Sequence, residues 1–151
     1  MMKWIFAALL ILFVTALIFP RVATDDPARW HVDPTTVTPS EKPNSYLVAD
    51  HDAVRLPLTP AAVLARVDRI AMAQPRVTRL ARDEQEGRVT YVQRSALFGF
   101  PDYISVRVVP DGDGSRLSIY SRSRFGESDL GVNKARIERW LKTIESNVSE
   151  N

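Results

Sequence analysis

Residues 121–133 (SRSRFGESDLGVN) gather side chains that could bind an anion or pair with one another. Arginine donates two parallel hydrogen bonds to a phosphate or carboxylate, and Arg124 lies in this segment. Asn133 is the predicted N-cap of a helix that contains Arg136, and a helix N-terminus beside cations attracts an anion. Asp129 could instead occupy this positive site as the partner of Arg124. An anion site and an internal ion pair are therefore both open.

The same segment has the composition of a corner between a strand and a helix. Gly126 and Gly131 permit backbone angles closed to other residues, which would let the chain turn sharply. Ser121 and Ser123 fall on the core side of the preceding strand by their parity. Buried hydroxyl groups require hydrogen-bond partners, and we expect Asp129 to provide one.

The sequence offers little for catalysis or metal binding. It has no cysteine, which excludes disulfides and thiolate chemistry, and its two histidines, His31 and His51, lie in a proline-rich region. We therefore predict no metal and no cofactor. An enzyme would need a concave pocket in which Arg107, Arg124 and Asp129 converge. A binding role is favoured over this alternative.

The periodicity of the sequence predicts an α+β domain of the order α-β-β-β-β-α. A helix is predicted to follow the N-cap Thr59 and to end before Pro75, and another to follow Asn133. Between them, alternating runs predict four antiparallel strands at residues 76–82, 88–95, 102–109 and 116–124. We expect both helices to pack on one face of this sheet.

Strand parity assigns basic and aromatic side chains to the other face, which we call the outer face. Ile104, Val106, Val108, Leu117 and Ile119 would point to the core. The outer face would carry Arg88, Val92, Arg94, Tyr103, Arg107, Arg116, Tyr120, Arg122 and Arg124. It could be a solvated sheet surface covered by arginine stems. It could also bind an anionic partner through Tyr103, Tyr120 and Arg122.

Residues 4–19 (WIFAALLILFVTALIF) predict a single-pass membrane anchor over residues 1–20. Only Thr15 is polar among these sixteen residues, so a helix here would have no polar face. A cleaved signal peptide needs small residues after the apolar run, whereas here the run ends at Phe19 and is followed by Pro20 and Arg21. An uncleaved anchor is therefore favoured over a cleaved signal peptide and over a buried helix of the domain.

The cationic N-terminus with Lys3 is similar to the start of an export signal, although Arg21 and Arg29 nearly balance it across the membrane. We therefore expect an inner-membrane location with the domain facing the periplasm. A reporter phosphatase fused after Asn151 that stayed inactive would refute this orientation.

The chain between the anchor and the domain is rich in proline. Residues 20–60 contain seven of the ten prolines and no sustained period, so residues 21–57 are predicted to be a linker. Part of the linker should lie along the domain, with residues 46–48 as an edge strand. The domain itself is predicted to occupy residues 58–148.

Two motifs, FGFPDYISVR and SRSRFGESDLGVNKARI, resemble the bacterial family called domain of unknown function 1499. The matching positions are Phe100, Asp102, Arg107, Ser121, Ser123, Arg124, Gly126, Asp129, Gly131, Asn133, Arg136 and Ile137. The resemblance covers roughly residues 63–144 and implies a compact α+β fold without an assigned activity.

Together these features predict a membrane-anchored envelope protein that binds or scaffolds a partner. An anionic lipid, an acidic envelope polymer or a protein would suit the basic side chains. Nucleic acid is not predicted, because the formal net charge is only +2 and the aromatic motif of an RNA-recognition sheet is missing.

Overall fold

The structure, a computed structural model, describes residues 2–149 of the 151-residue chain. The helices are α1 (Met2–Val22), α2 (Pro27–Trp30), α3 (Pro60–Met72) and α4 (Val132–Ser149). The strands are β1 (Ser45–Val48), β2 (Val54–Leu56), β3 (Val77–Asp83), β4 (Arg88–Arg94), β5 (Pro101–Asp111) and β6 (Gly114–Ser123), with a 3-10 turn at Asp50–Asp52. The α+β class is confirmed. Met1, the first residue of the predicted anchor, lies outside the described residues.

Helix α1 is long and apolar enough to cross a membrane. The candidate span Lys3–Val22 has 20 residues and a mean hydropathy of 2.5, and only 6% of it is buried inside the protein. At about 1.5 Å per residue, such a helix reaches roughly 30 Å, the thickness of the hydrocarbon core. Its large apolar side chains from Trp4 to Val14 are exposed in the described protein, as the sequence predicts for an anchor.

The sheet has six antiparallel strands, not the four that we predicted. Its order is β1-β6-β5-β4-β3, and β2 also pairs with β6. Ser45–Val48 and Val54–Leu56 lie one after the other along the outer edge of β6. The predicted edge strand at residues 46–48 is therefore present. The second edge strand was missed because three residues are too few to show an alternation.

Helices α3 and α4 both begin at polar caps. The Thr59 hydroxyl accepts a hydrogen bond from the Ala62 amide (3.3 Å), and Pro60 occupies the first helical position, as predicted for α3. Helix α4 begins one residue before its predicted cap, at Val132. Its free amides are bound instead by Asp129, as described below.

Helices α3 and α4 pack on one face of the sheet. The core residues of β5 and β6 are those predicted from parity, Ile104, Val106, Val108, Leu117 and Ile119, and each is at most 2% exposed. From the helices, Val63, Val67, Ile137 and Ile144 meet them. The Trp140 ring packs edge-on against Tyr91, with ring centroids 6.0 Å apart. The prediction of two helices on one face is confirmed.

The outer face is covered by the lead-in between α1 and β1, which is a correction to the predicted open surface. Trp30 stacks on Tyr103 with ring centroids 3.9 Å apart and planes 6° from parallel. Tyr103, Tyr120 and Arg122 are 0%, 2% and 8% exposed. The Tyr120 hydroxyl also accepts a hydrogen bond from the Ser40 amide (3.1 Å). The three residues of the predicted binding face are thus buried beneath residues of the lead-in.

Candidate functional site

A cavity of about 410 Å³ opens where the lead-in meets the end of β6. Its walls include Lys42, Arg122 and Arg124, together with the Trp30 ring and the exposed carboxylate of Glu127. We call this cavity the basic pocket. Three cations face one acidic side chain around it, so its charge balance favours an anion.

Arg122 is the buried cation of the basic pocket. Its guanidinium donates to the Trp30 carbonyl (2.7 Å) and to the Ser105 hydroxyl (3.3 Å), both of them neutral acceptors. It also lies over the rings of Trp30 and Tyr120, at 5.4 and 4.8 Å from their centroids. No carboxylate among residues 2–149 forms an ion pair with it.

The burial of Arg122 among neutral groups changes the pKa of its guanidinium. Burial lowers this pKa to about 10, although the neighbouring Tyr120 and Tyr103 act in the opposite direction. The guanidinium is therefore still charged at neutral pH but is poorly compensated by the fold. A bound anion would supply the missing compensation.

Arg124 and Lys42 are the two more exposed cations that line the pocket. Arg124 donates to the Thr24 carbonyl (2.9 Å) and to the Tyr103 hydroxyl (3.3 Å), and it lies 5.2 Å from the Phe125 ring centroid. Lys42 pairs with Glu127 at 2.6 Å, but both side chains are more than half exposed. Such an exposed pair contributes little and can open readily. Two of the three cations consequently lack an ionic partner within the described chain.

A second polar cluster is buried directly behind the corner between β6 and α4, and we call it the corner network. Arg136 donates to Asn133 Oδ1 (2.6 Å), Ser121 Oγ (2.8 Å) and Asp102 Oδ2 (2.6 Å). Ser121 donates to Asn133 Oδ1 (2.5 Å), and Ser123 donates to Asp102 Oδ1 (2.7 Å). These five residues are joined by hydrogen bonds, and Arg136 and Asn133 also donate to Gln93 and to the Asn44 carbonyl, so the corner network holds the helix on the sheet.

Two expectations about Asp129 are wrong. The partners of Ser121 and Ser123 are Asn133 and Asp102, because Asp102 lies directly opposite Ser123 in the β5–β6 ladder. Arg124 does not pair with Asp129 either. The Asp129 carboxylate accepts hydrogen bonds from the amides of Gly131 (2.9 Å) and Asn133 (2.8 Å) at the start of α4. Asp129 thus fills the helix N-terminus that we considered as an anion site.

Replacing Asp129 by alanine should lower the free energy of unfolding by about 1 kcal/mol at pH 7, the usual effect of losing a helix cap. Burial alone would raise the pKa of this carboxyl, but the amides of Asn133 and Gly131 outweigh it and hold the pKa below its ordinary value. The capping contribution is therefore complete above the unfolded pKa of about 4 and is lost as the pH falls through the folded pKa. Urea titrations should show a constant difference from pH 7 to about 5 that shrinks below about pH 4.

Asp129→Asn is the matched control, because it keeps an oxygen that can accept the same amide hydrogens. It should cost less stability at pH 7 than the alanine variant. A difference between wild type and Asp129→Ala that widened in acid would contradict the capping role.

Arg107 lies away from the basic pocket, past the middle of β5. It is four residues from Tyr103 along β5, or roughly 13 Å, and it forms ion pairs with Asp33 and, at 3.0 Å, with Glu86. It lines a different cavity, of about 620 Å³, where it is already paired. The structure therefore does not bring Arg107, Arg124 and Asp129 together, which removes the geometry that the enzyme alternative requires.

Sequence reasoning missed three parts of the site: the Trp30 cover, Lys42 and the hydroxyl of Ser105. Trp30 and Lys42 belong to the lead-in, and Ser105 is an uncharged residue at a buried position of β5. His31, one of the two histidines of the proline-rich region, contacts the Thr90 hydroxyl (2.8 Å) and accepts a hydrogen bond from Arg88 (3.2 Å). Within the described chain, no group of three histidine, aspartate or glutamate side chains is arranged to hold a metal ion.

The fold and its site define a small α+β domain behind an apolar N-terminal helix, with a basic pocket at the end of the sheet nearest that helix. The chain belongs to the family described as "Protein of unknown function (DUF1499)", whose profile matches residues 26–144. The resemblance noted from the two sequence motifs is thereby confirmed. The matched range includes α2 of the lead-in and the edge strands β1 and β2.

Other comparisons add no functional information. The chain matches no curated protein. Among solved structures it is similar to a DUF4468 family protein from Bacteroides ovatus ATCC 8483, at 15% identity, covering 70% of this chain and 68% of the other. The TM-score of 0.31 is too low for this similarity to support any conclusion about function.

Proposed function

We propose that the protein is a membrane-anchored binding module that takes an anionic group into the basic pocket. One observation carries the proposal: Arg122 is 8% exposed, charged, without a carboxylate partner in the described chain, and it lines a cavity. A buried cation without a counter-ion lowers the stability of a fold. Ionisable groups in such perturbed surroundings cluster at functional sites.

The geometry of the pocket favours a phosphate or carboxylate group. Arg122 and Arg124 both line the cavity, and a guanidinium group suits phosphate and carboxylate because its N–H groups can donate more than one hydrogen bond. The Trp30 ring forms an apolar wall beside them. A phosphate or carboxylate group attached to a small apolar group or a sugar would therefore fit the basic pocket.

The proposed setting is the inner membrane, with α1 as a single-pass anchor and the domain in the periplasm. Apolar character along the whole of α1 and the cationic start at Lys3 support it. Anionic lipid headgroups and acidic envelope polymers are the sources of phosphate and carboxylate groups in that setting. A protein partner with an acidic side chain offers the same chemistry.

Inorganic phosphate should raise the melting temperature of the full chain in detergent micelles. At ten times the dissociation constant, one site on the folded state adds about 1.4 kcal/mol to the free energy of unfolding. The double variant Lys42→Gln/Arg124→Gln, which removes the two more exposed cations of the pocket, should lose most of this stabilisation. Differential scanning calorimetry against sodium chloride of equal ionic strength separates binding from screening.

Lys134→Gln is the control for loss of positive charge, because Lys134 is exposed and lies outside the pocket walls. It should retain the full response to phosphate. If phosphate and chloride shifted the melting temperature equally, or if the double variant responded as wild type does, the anion-binding proposal would be refuted.

A further inference from the structure

Three exposed apolar residues lie beside the end of α1. Leu97, Phe98 and Phe100 are 69%, 39% and 38% exposed, and we call them the exit patch. They belong to the short connection between β4 and β5. The Phe98 and Phe100 rings stack at 5.5 Å between centroids, so the patch is a defined surface.

The exit patch is continuous with the apolar surface of α1. The Phe100 ring centroid lies 5.8 Å from that of Phe125, which lies 6.0 Å from that of Phe19 in the last turns of α1. Arg21, at the end of α1, donates a hydrogen bond to the Leu97 carbonyl. A side chain at Gly99 would place its Cβ 2.6 Å from Arg21 Cγ, so the loop and the helix end are in direct contact.

One arginine fixes the loop and the helix end to the sheet. Arg94 donates to the Pro20 carbonyl (2.7 Å) and to the Gly99 carbonyl (3.2 Å), and it forms an ion pair with Asp25 at 2.6 Å. The exit patch therefore cannot turn away from α1 without breaking these contacts. Its depth in a membrane is set by that of the helix end.

Phenylalanine and leucine next to arginine side chains have the composition of a segment that enters the interfacial layer of a membrane. Arg21 and Arg124 lie at the same end of the molecule as the patch, where anionic headgroups would attract them. Single exposed apolar residues need no explanation, but a cluster joined to a membrane-spanning surface does.

We propose that the exit patch inserts into the lipid interface of the membrane that α1 spans, and so seats the domain on the bilayer in a fixed orientation. The partner is the lipid bilayer itself. This inference rests on the membrane anchor of the proposed function, but it does not depend on anion binding.

The chain has no cysteine, so single cysteines can carry an environment-sensitive fluorophore without further changes. Leu97→Cys reports on the exit patch and Leu12→Cys on the middle of α1. Asp113→Cys, in the turn at the other end of β6 and roughly 30 Å away along the strand, is the aqueous control. The labelled full chains are reconstituted in vesicles of phosphatidylcholine and phosphatidylglycerol. Each label is then quenched by aqueous iodide, by nitroxide lipids labelled near the headgroup and by nitroxide lipids labelled deep in the chain.

At position 97 we expect a blue-shifted emission that the shallow nitroxide quenches and iodide does not. Position 12 should be quenched by the deep nitroxide, and position 113 by iodide alone. Iodide quenching at position 97 would overturn the inference while leaving the anchor intact. Protection from all three quenchers there would overturn it as well, since a protein surface would then cover the patch. Iodide quenching at position 12 would refute the anchor and the inference with it.

Discussion

Replacing Asp102 by alanine should destabilise the domain by about 3–5 kcal/mol, the usual cost of removing one partner from a buried ion pair. Arg136 and Asp102 are only 5% and 15% exposed and lie 2.6 Å apart. Without the carboxylate, the guanidinium stays buried with neutral acceptors alone, and the Ser123 hydroxyl loses its acceptor. Chemical unfolding of the full chain in micelles, followed by far-ultraviolet circular dichroism, measures the loss.

Glu138→Ala is the control for this measurement, because Glu138 forms an exposed pair with Lys134 at 3.8 Å on the same helix. Its cost should be about 0.5 kcal/mol or less. The double variant Asp102→Ala/Arg136→Met removes both charges and should be more stable than Asp102→Ala alone. If Asp102→Ala cost no more than Glu138→Ala, the corner network would not hold the helix as we infer.

Periodicity was sufficient to predict the two-layer core. Ile104, Val106 and Val108 alternate along β5, and Ile137, Trp140 and Ile144 recur at helical spacing along α4. Both patterns arise from contacts between one element and a single buried face, which is the information that alternation carries. For the same reason, the division of β5 and β6 into core and outer faces follows from sequence.

The state of the outer face could not be predicted in the same way. Parity places Tyr103, Tyr120 and Arg122 away from the helices, but it does not say whether water or protein lies beyond them. The cover comes from Trp30, in a four-residue helix within a proline-rich segment more than seventy residues away along the chain. Such a long-range contact leaves no periodic trace in either segment.

The contact between Asp102 and Ser123 in the corner network could have been predicted from the sequence, but we did not predict it. The turn between β5 and β6 pairs Asp111 with Gly114. Counting back along that antiparallel ladder leads to the pairing of Asp102 with Ser123, which identifies the acceptor for the serine. Choosing Asp129 relied on closeness in sequence, whereas the register of the hairpin decides the partner.

Replacing Trp30 by alanine should cost about 3–5 kcal/mol, as expected for removing a large aromatic side chain from a packed site. Trp30 is 9% exposed and packs on Tyr103 and Val92 in a cluster separate from the main core. Its loss would also uncover Arg122, which stacks on the indole. We therefore expect the response of the melting temperature to phosphate to fall together with stability.

Two variants separate these effects. Trp30→Phe keeps an aromatic ring over Tyr103 and should recover part of the stability and of the phosphate response. Trp4→Ala, which removes an 80% exposed indole from α1, should leave unfolding of the domain unchanged. A Trp30→Ala protein as stable as Trp4→Ala would show that the lead-in rests loosely on the sheet. Arg122 would then face water, and its burial could no longer support a pocket for an anion.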